Sequence, residues 1–286
     1  MPEGFSYTTE TTVNLTVEQE FMGILYNTQM DINTLMQLNV QGIDADNNYM
    51  LSASYKRMDI RVSSLLINMQ VNTESIIPGD SLSSILRSLK GKEFKVILSG
   101  KGEFLNIIGL DEMISETILT GNENDIEKIE FCRNLIQTLG KEALLDNYRS
   151  ISTLYPDIPV KEQDQWKTAL NIIKSGIPME INSSVRLKEI TRDIAVLFSE
   201  GRIKTLNEKI LNNQENKPTP VYYLIGNEIS ENKIDRKTGL LLESIASQNI
   251  TGTIKTPATE ENAEEMVIPF KIISRISMAS APEQVR

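Results

Sequence analysis

Long runs in which apolar and polar residues alternate constrain the fold of this chain more than any other feature. In the first run, Phe5, Tyr7, Val13, Leu15 and Val17 occupy odd positions, and polar side chains lie between them. Successive side chains of a β-strand point to opposite faces, so a period of two predicts strands with one apolar face. Several runs reach about ten residues, beyond the usual five or six. The sequence therefore predicts a broad antiparallel sheet with one covered face.

Runs with the same period recur on both sides of a helical middle. In each of them we expect the apolar side chains to face the covered side of the sheet. We also expect a turn at Ser199-Glu200-Gly201 and a short helix at Leu206–Leu211. The further runs are Met30–Val40, Tyr49–Tyr55, Met58–Val62, Leu65–Val71, Met179–Leu187, Ile194–Phe198, Val221–Ile229 and Met266–Met278.

Helical patterns occupy the middle of the chain. Asp111 is placed to cap one helix, and a stripe that includes Ile129, Cys132 and Ile136 has the spacing of another. The prolines of Pro156–Pro159 end the last helical pattern. An earlier short helix is predicted with Asp80 or Ser81 as its N-cap residue.

The predicted fold class is therefore α+β: a large curved antiparallel β-sheet with a central helical segment packed against it. We divide the chain into an N-terminal β-rich half, residues 1–110, a helical segment, residues 111–160, and a C-terminal β-rich half, residues 161–286. These parts are expected to form one integrated unit.

Residue usage excludes several functions. The sequence has no histidine, the usual general base near neutral pH and the commonest metal ligand. One cysteine, Cys132, forms neither an internal disulfide nor a cysteine-cluster zinc site. A net charge of −10 disfavours nucleic acid and anionic lipid surfaces as partners. We expect no catalytic residues, no cofactor and no metal site, and no apolar run is long enough for a membrane-spanning helix.

Three short motifs have both a functional and a structural interpretation. Gly100-Lys101-Gly102 lacks the spacing of a phosphate-binding loop and joins two predicted strands, which favours a hairpin turn. Asp44–Asn48 offers oxygen atoms at alternate positions, as a calcium loop does, but Tyr49 and Tyr55 stand where glycine and glutamate are needed. Cys132 lies on an apolar helical stripe, which favours a buried thiol over a nucleophile.

Two further features leave a choice open. Glu260-Glu261 and Glu264-Glu265 are paired carboxylates, but a charged loop does not hold acids at the fixed separation that hydrolysis needs. The aromatic residues Tyr148, Tyr155 and Trp166 form either a ligand platform or an anchor that docks helices on the sheet.

Methionine on the strand faces is the feature that most suggests a ligand. Methionine is flexible and polarizable, so a row of such side chains can line an adaptable apolar cavity. A core face covered by the helices is the alternative. The predicted lining residues for an apolar ligand are Met30, Met36, Met58, Met69, Met179 and Trp166.

The order of several segments resembles an uncharacterised family of exported, lipoprotein-type β-rich proteins of Bacteroidetes. The resemblance rests on Gly102-Glu103-Phe104-Leu105, Gly109-Leu110-Asp111, Pro156–Trp166, Thr238-Gly239-Leu240 and Gly252-Thr253-Ile254. That family commonly has Gly-Asp-Thr-Trp where this chain has Gln163-Asp164-Gln165-Trp166. The resemblance implies a periplasmic, outer-membrane-associated or extracellular location after removal of a signal segment, and it implies no reaction. A cytoplasmic location stays open.

Three functions remain for such a chain. The first is a non-enzymatic envelope protein that binds a lipid or acyl chain on a concave sheet face. The second is a protein- or glycan-binding module that acts through loops at Asn212–Pro220 and Thr256–Glu265. The third is a hydrolase that relies on carboxylates alone, which requires two facing acids in a cleft.

Overall fold

A computed structural model describes residues 3–65, 67–77, 80–100, 102–119, 126–174, 177–206, 220–257 and 265–282. The predicted large antiparallel sheet and helical middle are confirmed. The strands are β1 (Ser6–Phe21), β2 (Ile24–Ile43), β3 (Tyr49–Ser63), β4 (Asn68–Asn72), β5 (Glu93–Leu98), β6 (Phe104–Ile108), β7 (Gln165–Lys174), β8 (Ile177–Ile190), β9 (Ile194–Thr205), β10 (Val221–Asp235), β11 (Leu241–Thr256) and β12 (Met266–Pro282). The helices are α1 (Ser81–Leu89), α2 (Leu110–Leu119), α3 (Ile126–Leu139) and α4 (Lys141–Ser152).

The strands form one antiparallel sheet in which chain order is almost spatial order. The order is β6-β5-β3-β2-β1-β12-β11-β10-β9-β8-β7, and β4 pairs with β3 beside this path. The first and last strands pair with each other, so both lie inside the sheet. Helices α2 to α4 follow β6 and precede β7 in the chain, so they connect opposite ends of the strand order.

Helix α4 contacts both of these end strands. On one side, the Tyr148 ring stacks on the Phe104 ring of β6, with centroids 3.7 Å apart and planes 10° apart. On the other side, the backbone N–H of Ile173 in β7 donates to Asp146 Oδ2 at 3.3 Å. The sheet is therefore curved enough for its two ends to reach one helix.

The main hydrophobic core lies between the helices and the inner face of the sheet. It joins buried residues of the first strands, such as Leu38 and Leu51, to buried helix residues such as Leu86 and Leu145. The predicted start of α1 is confirmed, because Asp80 Oδ1 accepts a hydrogen bond from the Ser83 N–H at 3.0 Å. Cys132 is buried in this core, and burial raises the pKa of its thiol.

Three strand predictions are wrong. In β9 the predicted covered face, which contains Ile194, Val196 and Phe198, is the outer one, because Leu197 and Ile203 pair with inward residues of β8. Ser199-Glu200-Gly201 lies inside β9 and forms no turn, since its residues pair with both β8 and β10. In β10 the predicted covered face is the outer one, and Ile225 is 69% exposed. The residues that point inward there are Tyr222, Leu224, Glu228, Ser230, Asn232 and Ile234. The helix predicted at Leu206–Leu211 and the acidic pairs at 260–265 fall wholly or mostly outside the described residues.

Four tyrosines that are buried or packed on the core make the fold sensitive to alkali. Burial raises the pKa values of Tyr7, Tyr55 and Tyr148 well above their ordinary value, and it raises the pKa of Tyr155 to about 12. In the unfolded chain these phenols ionise near pH 10, while in the folded chain they stay neutral. Deprotonation therefore favours the unfolded state above pH 10.

We expect the free energy of unfolding to fall between pH 8 and pH 10.5. Each of the four phenols contributes about 0.8 kcal/mol, or about 3.3 kcal/mol together. Urea unfolding at the two pH values measures the fall. Tyr55→Phe removes one titrating group and should reduce the fall by about a quarter; an unchanged fall would show that these phenols are not its cause.

Candidate functional site

A second apolar cluster lies on the inner face of the C-terminal half of the sheet. In the described part of the chain it is built from strand residues alone, and the main helix–sheet contacts lie on β4 to β7, of which only β7 contributes a member, Ile172. Its members are buried, at 1–9% exposed, without a described helix residue among them. Its buried members are Ile172, Ile177, Met179, Ile181, Ile203, Leu224, Ile250, Phe270 and Ile272.

Half-buried apolar residues extend this surface across the neighbouring strands. Leu15 and Val17 of β1 pack against the second cluster. Leu15 pairs with Met30 of β2, Met30 with Val62 of β3, and Val62 with Met69 of β4. These paired positions point to the same side of the sheet. They form an inner row of partly accessible apolar side chains, in which Leu15 packs against the second cluster while Met30, Val62 and Met69 pack against the main core.

A belt of buried polar side chains separates the second cluster from the main core. Glu228 Oε2 accepts from Gln248 Nε2 at 2.5 Å, and Ser274 Oγ donates to Gln248 Oε1 at 3.1 Å. The three residues face one another across β10, β11 and β12. Within the described residues, Glu228 is the one acidic residue that is buried. Its carboxylate is hydrogen-bonded within the belt, with no second buried acid among those residues.

The belt continues one row closer to the main core. The hydroxyls of Ser199 and Ser230 lie 2.7 Å apart, and Asn232 Nδ2 donates to Ser230 Oγ at 3.0 Å. Asn232 is 1% exposed, and its Oδ1 has no partner among the described residues. An unpaired buried acceptor is costly, so this atom favours a donor group placed beside it.

Glycines cross the same part of the sheet on a diagonal. They are Gly201 of β9, Gly226 of β10 and Gly252 of β11. In the strand pairing, each lies two residues along the sheet from the position opposite the glycine before it. A Cβ atom would lie 2.8 Å from Ser183 Oγ at Gly201, 2.6 Å from a backbone oxygen at Gly226, and 1.9 Å from the Tyr223 carbonyl oxygen at Gly252. Such close approaches are possible only without a side chain. Glycines of this kind allow a sheet to curl.

The predicted lining residues do not lie together. Met36 and Met58 are buried in the main core with the helices, and Met179 is in the second cluster. Met30 and Met69 are half-buried in the accessible inner row. Trp166 packs on the main core, and its indole N–H donates to the Leu154 carbonyl at 3.1 Å.

The other motifs have structural roles in the described residues. Asp44 Oδ1 accepts from the backbone N–H groups of Asp46 and Asn48 at 2.9 and 2.8 Å. These hydrogen bonds identify the segment as a turn, and the bond from the Asn48 backbone lowers the pKa of Asp44. Ser99–Glu103 closes the hairpin between β5 and β6, while Lys101 lies outside the described residues. No cluster of metal-ligating side chains occurs in the described ranges.

A groove of about 570 Å³ lies on the outer face of the C-terminal half. Asn182, Arg202, Asn227 and Asn249 line it and follow one another across β8 to β11. Ile203 and Ile225 also line the groove, and most of its lining surface is apolar despite these amide and guanidinium groups.

The model of a family of unknown function (DUF6263) matches residues 46–241. No curated protein matches the sequence. A structure entitled "Lipid-protein interactions in lipovitellin" is similar to 98% of this chain, with 8% identity and a TM-score of 0.52. This chain spans about a quarter of the lipovitellin chain, since 25% of it is covered, and the likeness concerns the fold. An outer membrane channel from Pseudomonas putida F1 gives 9% identity, coverage of 96% of both chains and a TM-score of 0.23. No helix in the described ranges is long and apolar enough to cross a membrane.

Proposed function

The chain belongs to the family of unknown function DUF6263, and we propose that it holds an apolar ligand, a lipid or acyl chain, on the inner face of its sheet. The observation that carries this proposal is the second apolar cluster, which contains no described helix residue and continues into a partly accessible apolar row. Neighbouring apolar side chains that stay partly exposed, as in this row, are a feature of ligand-binding grooves.

The accessible row has the side chains that such a ligand needs. Met30 and Met69 flank Val62 in cross-strand pairs, and all three are half-buried. Methionine adapts its shape to a flexible chain at little cost. The acyl chain would lie along this row and against the second cluster.

The polar belt gives the ligand an orientation. A lipid that lies on the apolar row and the second cluster has its polar end near Glu228 and Gln248. The carboxylate of Glu228 disfavours an anionic head and favours one that donates hydrogen bonds, as does Asn232 Oδ1. The proposed ligand is therefore an amphiphile with a hydroxyl or amine at its polar end.

We propose a non-enzymatic role in the cell envelope. The sequence has no histidine, and the hydrogen-bonded Glu228 is not arranged as one of a pair of facing acids. The solved lipovitellin structure concerns lipid–protein interactions, and its fold likeness supports the same use of the sheet here. The envelope location rests on the resemblance to exported β-rich proteins.

Native mass spectrometry of gently purified protein tests the proposal. We expect a bound species of lipid mass, and we expect a fluorescent fatty alcohol to bind in competition with it. Met30→Glu places a carboxylate in the accessible row and should weaken binding of the probe at least about tenfold, since a buried charge is costly.

Gln29→Glu is the matched control, because it adds the same charge to the exposed outer side of the same strand. It should leave probe binding within about twofold of the wild type, and thermal unfolding verifies that both variants fold. A wild-type protein with no apolar species and no uptake of the probe would refute the proposal. Bound sugar in the mass spectrum would instead support the second candidate, a protein- or glycan-binding module that acts through its loops.

A further inference from the structure

A small cavity lies at the end of the sheet opposite the second apolar cluster. Tyr7 and Thr9 of β1, Ser280 of β12 and Tyr148 of α4 line it. Tyr7 is ten residues from Val17, which packs on the second cluster, so the two places are about 33 Å apart along β1. The cavity shares no described lining residue with that cluster and is a separate site. We call it the hydroxyl cavity.

Tyr7 presents an unpaired hydroxyl to the hydroxyl cavity. The residue is 4% exposed, and its hydroxyl has no hydrogen-bond partner among the residues that the structure describes. Burial, and then the neighbouring phenols of Tyr148 and Tyr155, raise the pKa of Tyr7, so three phenols converge here. A buried polar group without a partner costs free energy. Tyr7 therefore favours a ligand that completes its hydrogen bond.

Three further hydroxyls form a chain beside Tyr7. The Tyr148 hydroxyl is bonded to the Thr9 side chain, and Thr9 Oγ1 lies 3.0 Å from Ser280 Oγ. Three hydroxyls have three protons but make only two bonds with one another, so one O–H group of the chain is left to donate. With Tyr7, the cavity offers two O–H donors, and oxygen lone pairs beside them can accept. A ligand hydroxyl, which both accepts and donates, matches this set.

The hydroxyl cavity favours a neutral group. None of its described lining residues is charged, and apolar side chains such as Phe104 and Leu241 complete its walls. The phenols are neutral at physiological pH, because burial raises their pKa values. An ion held here would have no counter-ion, and a buried charge without one is costly. The group that enters is therefore uncharged.

The size of the cavity sets the size of that group. Its volume is about 50 Å³. A single water molecule needs roughly 10–15 Å³ of such space, so there is room for a group of a few non-hydrogen atoms. Gly102 and Gly239 also line the cavity, and a Cβ at either would meet no described atom within 4 Å. This open space leaves room outside the cavity for the rest of a larger molecule.

The wall at Gly239 is held in place from the helical side. The Tyr155 hydroxyl donates to the Gly239 carbonyl oxygen at 3.3 Å, which joins the β10–β11 turn to the segment after α4. Within that turn, Asp235 Oδ1 accepts from the backbone N–H groups of Lys237 and Thr238 at 2.9 and 2.8 Å. The cavity is therefore formed by fixed elements before any ligand enters.

From these observations we propose that the hydroxyl cavity binds the hydroxymethyl group of an uncharged polyol, either free or as part of a sugar. The ligand oxygen accepts from the Tyr7 hydroxyl and bonds to the Tyr148–Thr9–Ser280 chain, while its CH₂ group contacts the apolar walls. This inference goes beyond the acyl-chain proposal and is independent of it, because the two sites share no residue.

Titration with ethylene glycol, followed through the tyrosine ring signals in NMR spectra, tests the assignment. We expect saturable shifts of the Tyr7 and Tyr148 signals. Acetate has the same number of non-hydrogen atoms but carries a charge, so it should bind at least about tenfold more weakly. Glucose is the sugar probe: saturable binding that depends on Tyr7 would identify a sugar hydroxymethyl group as a ligand, while binding of the diol alone would identify a free polyol.

Tyr7→Phe keeps the ring and removes the hydroxyl. It should weaken binding of ethylene glycol about fivefold, as expected for one neutral hydrogen bond. Its thermal unfolding temperature should stay the same or rise, because the lost hydroxyl has no partner in the described protein. Ser280→Ala shortens the hydroxyl chain and should weaken binding about threefold.

Tyr55→Phe is the matched control. Tyr55 is also a buried phenol, but it is not among the described lining residues, and its hydroxyl donates to the Leu139 carbonyl oxygen at 3.2 Å. This variant should bind ethylene glycol within about twofold of the wild type. Absence of saturable binding by both ethylene glycol and glucose would show that the cavity holds only water and would overturn the proposal. Equal binding of acetate, or unchanged affinity in Tyr7→Phe, would overturn it as well.

Discussion

Replacing Gly252 with alanine should lower the free energy of unfolding by more than about 3 kcal/mol. The added Cβ would lie 1.9 Å from the Tyr223 carbonyl oxygen and 2.9 Å from its carbonyl carbon. Both are backbone atoms of the neighbouring strand, so no side-chain rotation relieves the overlap. Strands β10 and β11 would have to separate, which disrupts the ladder beside the second apolar cluster.

Gly100→Ala is the matched substitution, because the nearest atom to its Cβ would be at an ordinary contact distance of 3.5 Å. It should change stability by less than about 0.5 kcal/mol. Urea unfolding of the two variants measures the difference. Equal small effects would mean that β10 and β11 do not approach each other closely at Gly252. The three glycines would then not explain why the sheet curls.

Local signals in the sequence were sufficient to predict most elements. Asp80 predicted the start of α1 because an N-cap bond forms within four residues of chain. Alternation predicted β10 as a strand, but it selected the wrong inner face. Val221 and Ile225 are more apolar than Glu228 and Asn232, and only pairing with β9 and β11 decides which set points inward.

The candidate site was harder to predict for the same reason. The hydrogen bonds of Glu228 and Ser274 with Gln248 stabilise polar side chains inside the sheet, and these partners come from three different strands. A pattern in one strand contains no information on such partners. Methionine usage predicted one shared lining but not that Met36 and Met58 would lie in the main core with the helices, because helix placement depends on contacts between distant residues.

Replacing Tyr148 with alanine should reveal how far α4 holds the two ends of the strand order together. The ring stacks on Phe104, and its hydroxyl is hydrogen-bonded to the Thr9 side chain. Removal of a buried aromatic ring costs about 3–5 kcal/mol. Helix α4 also bonds β7 through Asp146. We therefore expect loss of the Tyr148 ring to loosen β7 as well, although the ring stacks on β6.

Hydrogen exchange measures directly how far loss of the Tyr148 ring loosens β7. In Tyr148→Ala the backbone amides of β7 should exchange faster, while those of β12, inside the sheet, should exchange at rates set by the lower global stability alone. Tyr148→Phe keeps the ring, should cost about 1 kcal/mol, and should leave β7 protected. If β7 stays protected in the alanine variant as well, α4 is fixed to each strand separately, and the curvature of the sheet does not depend on it.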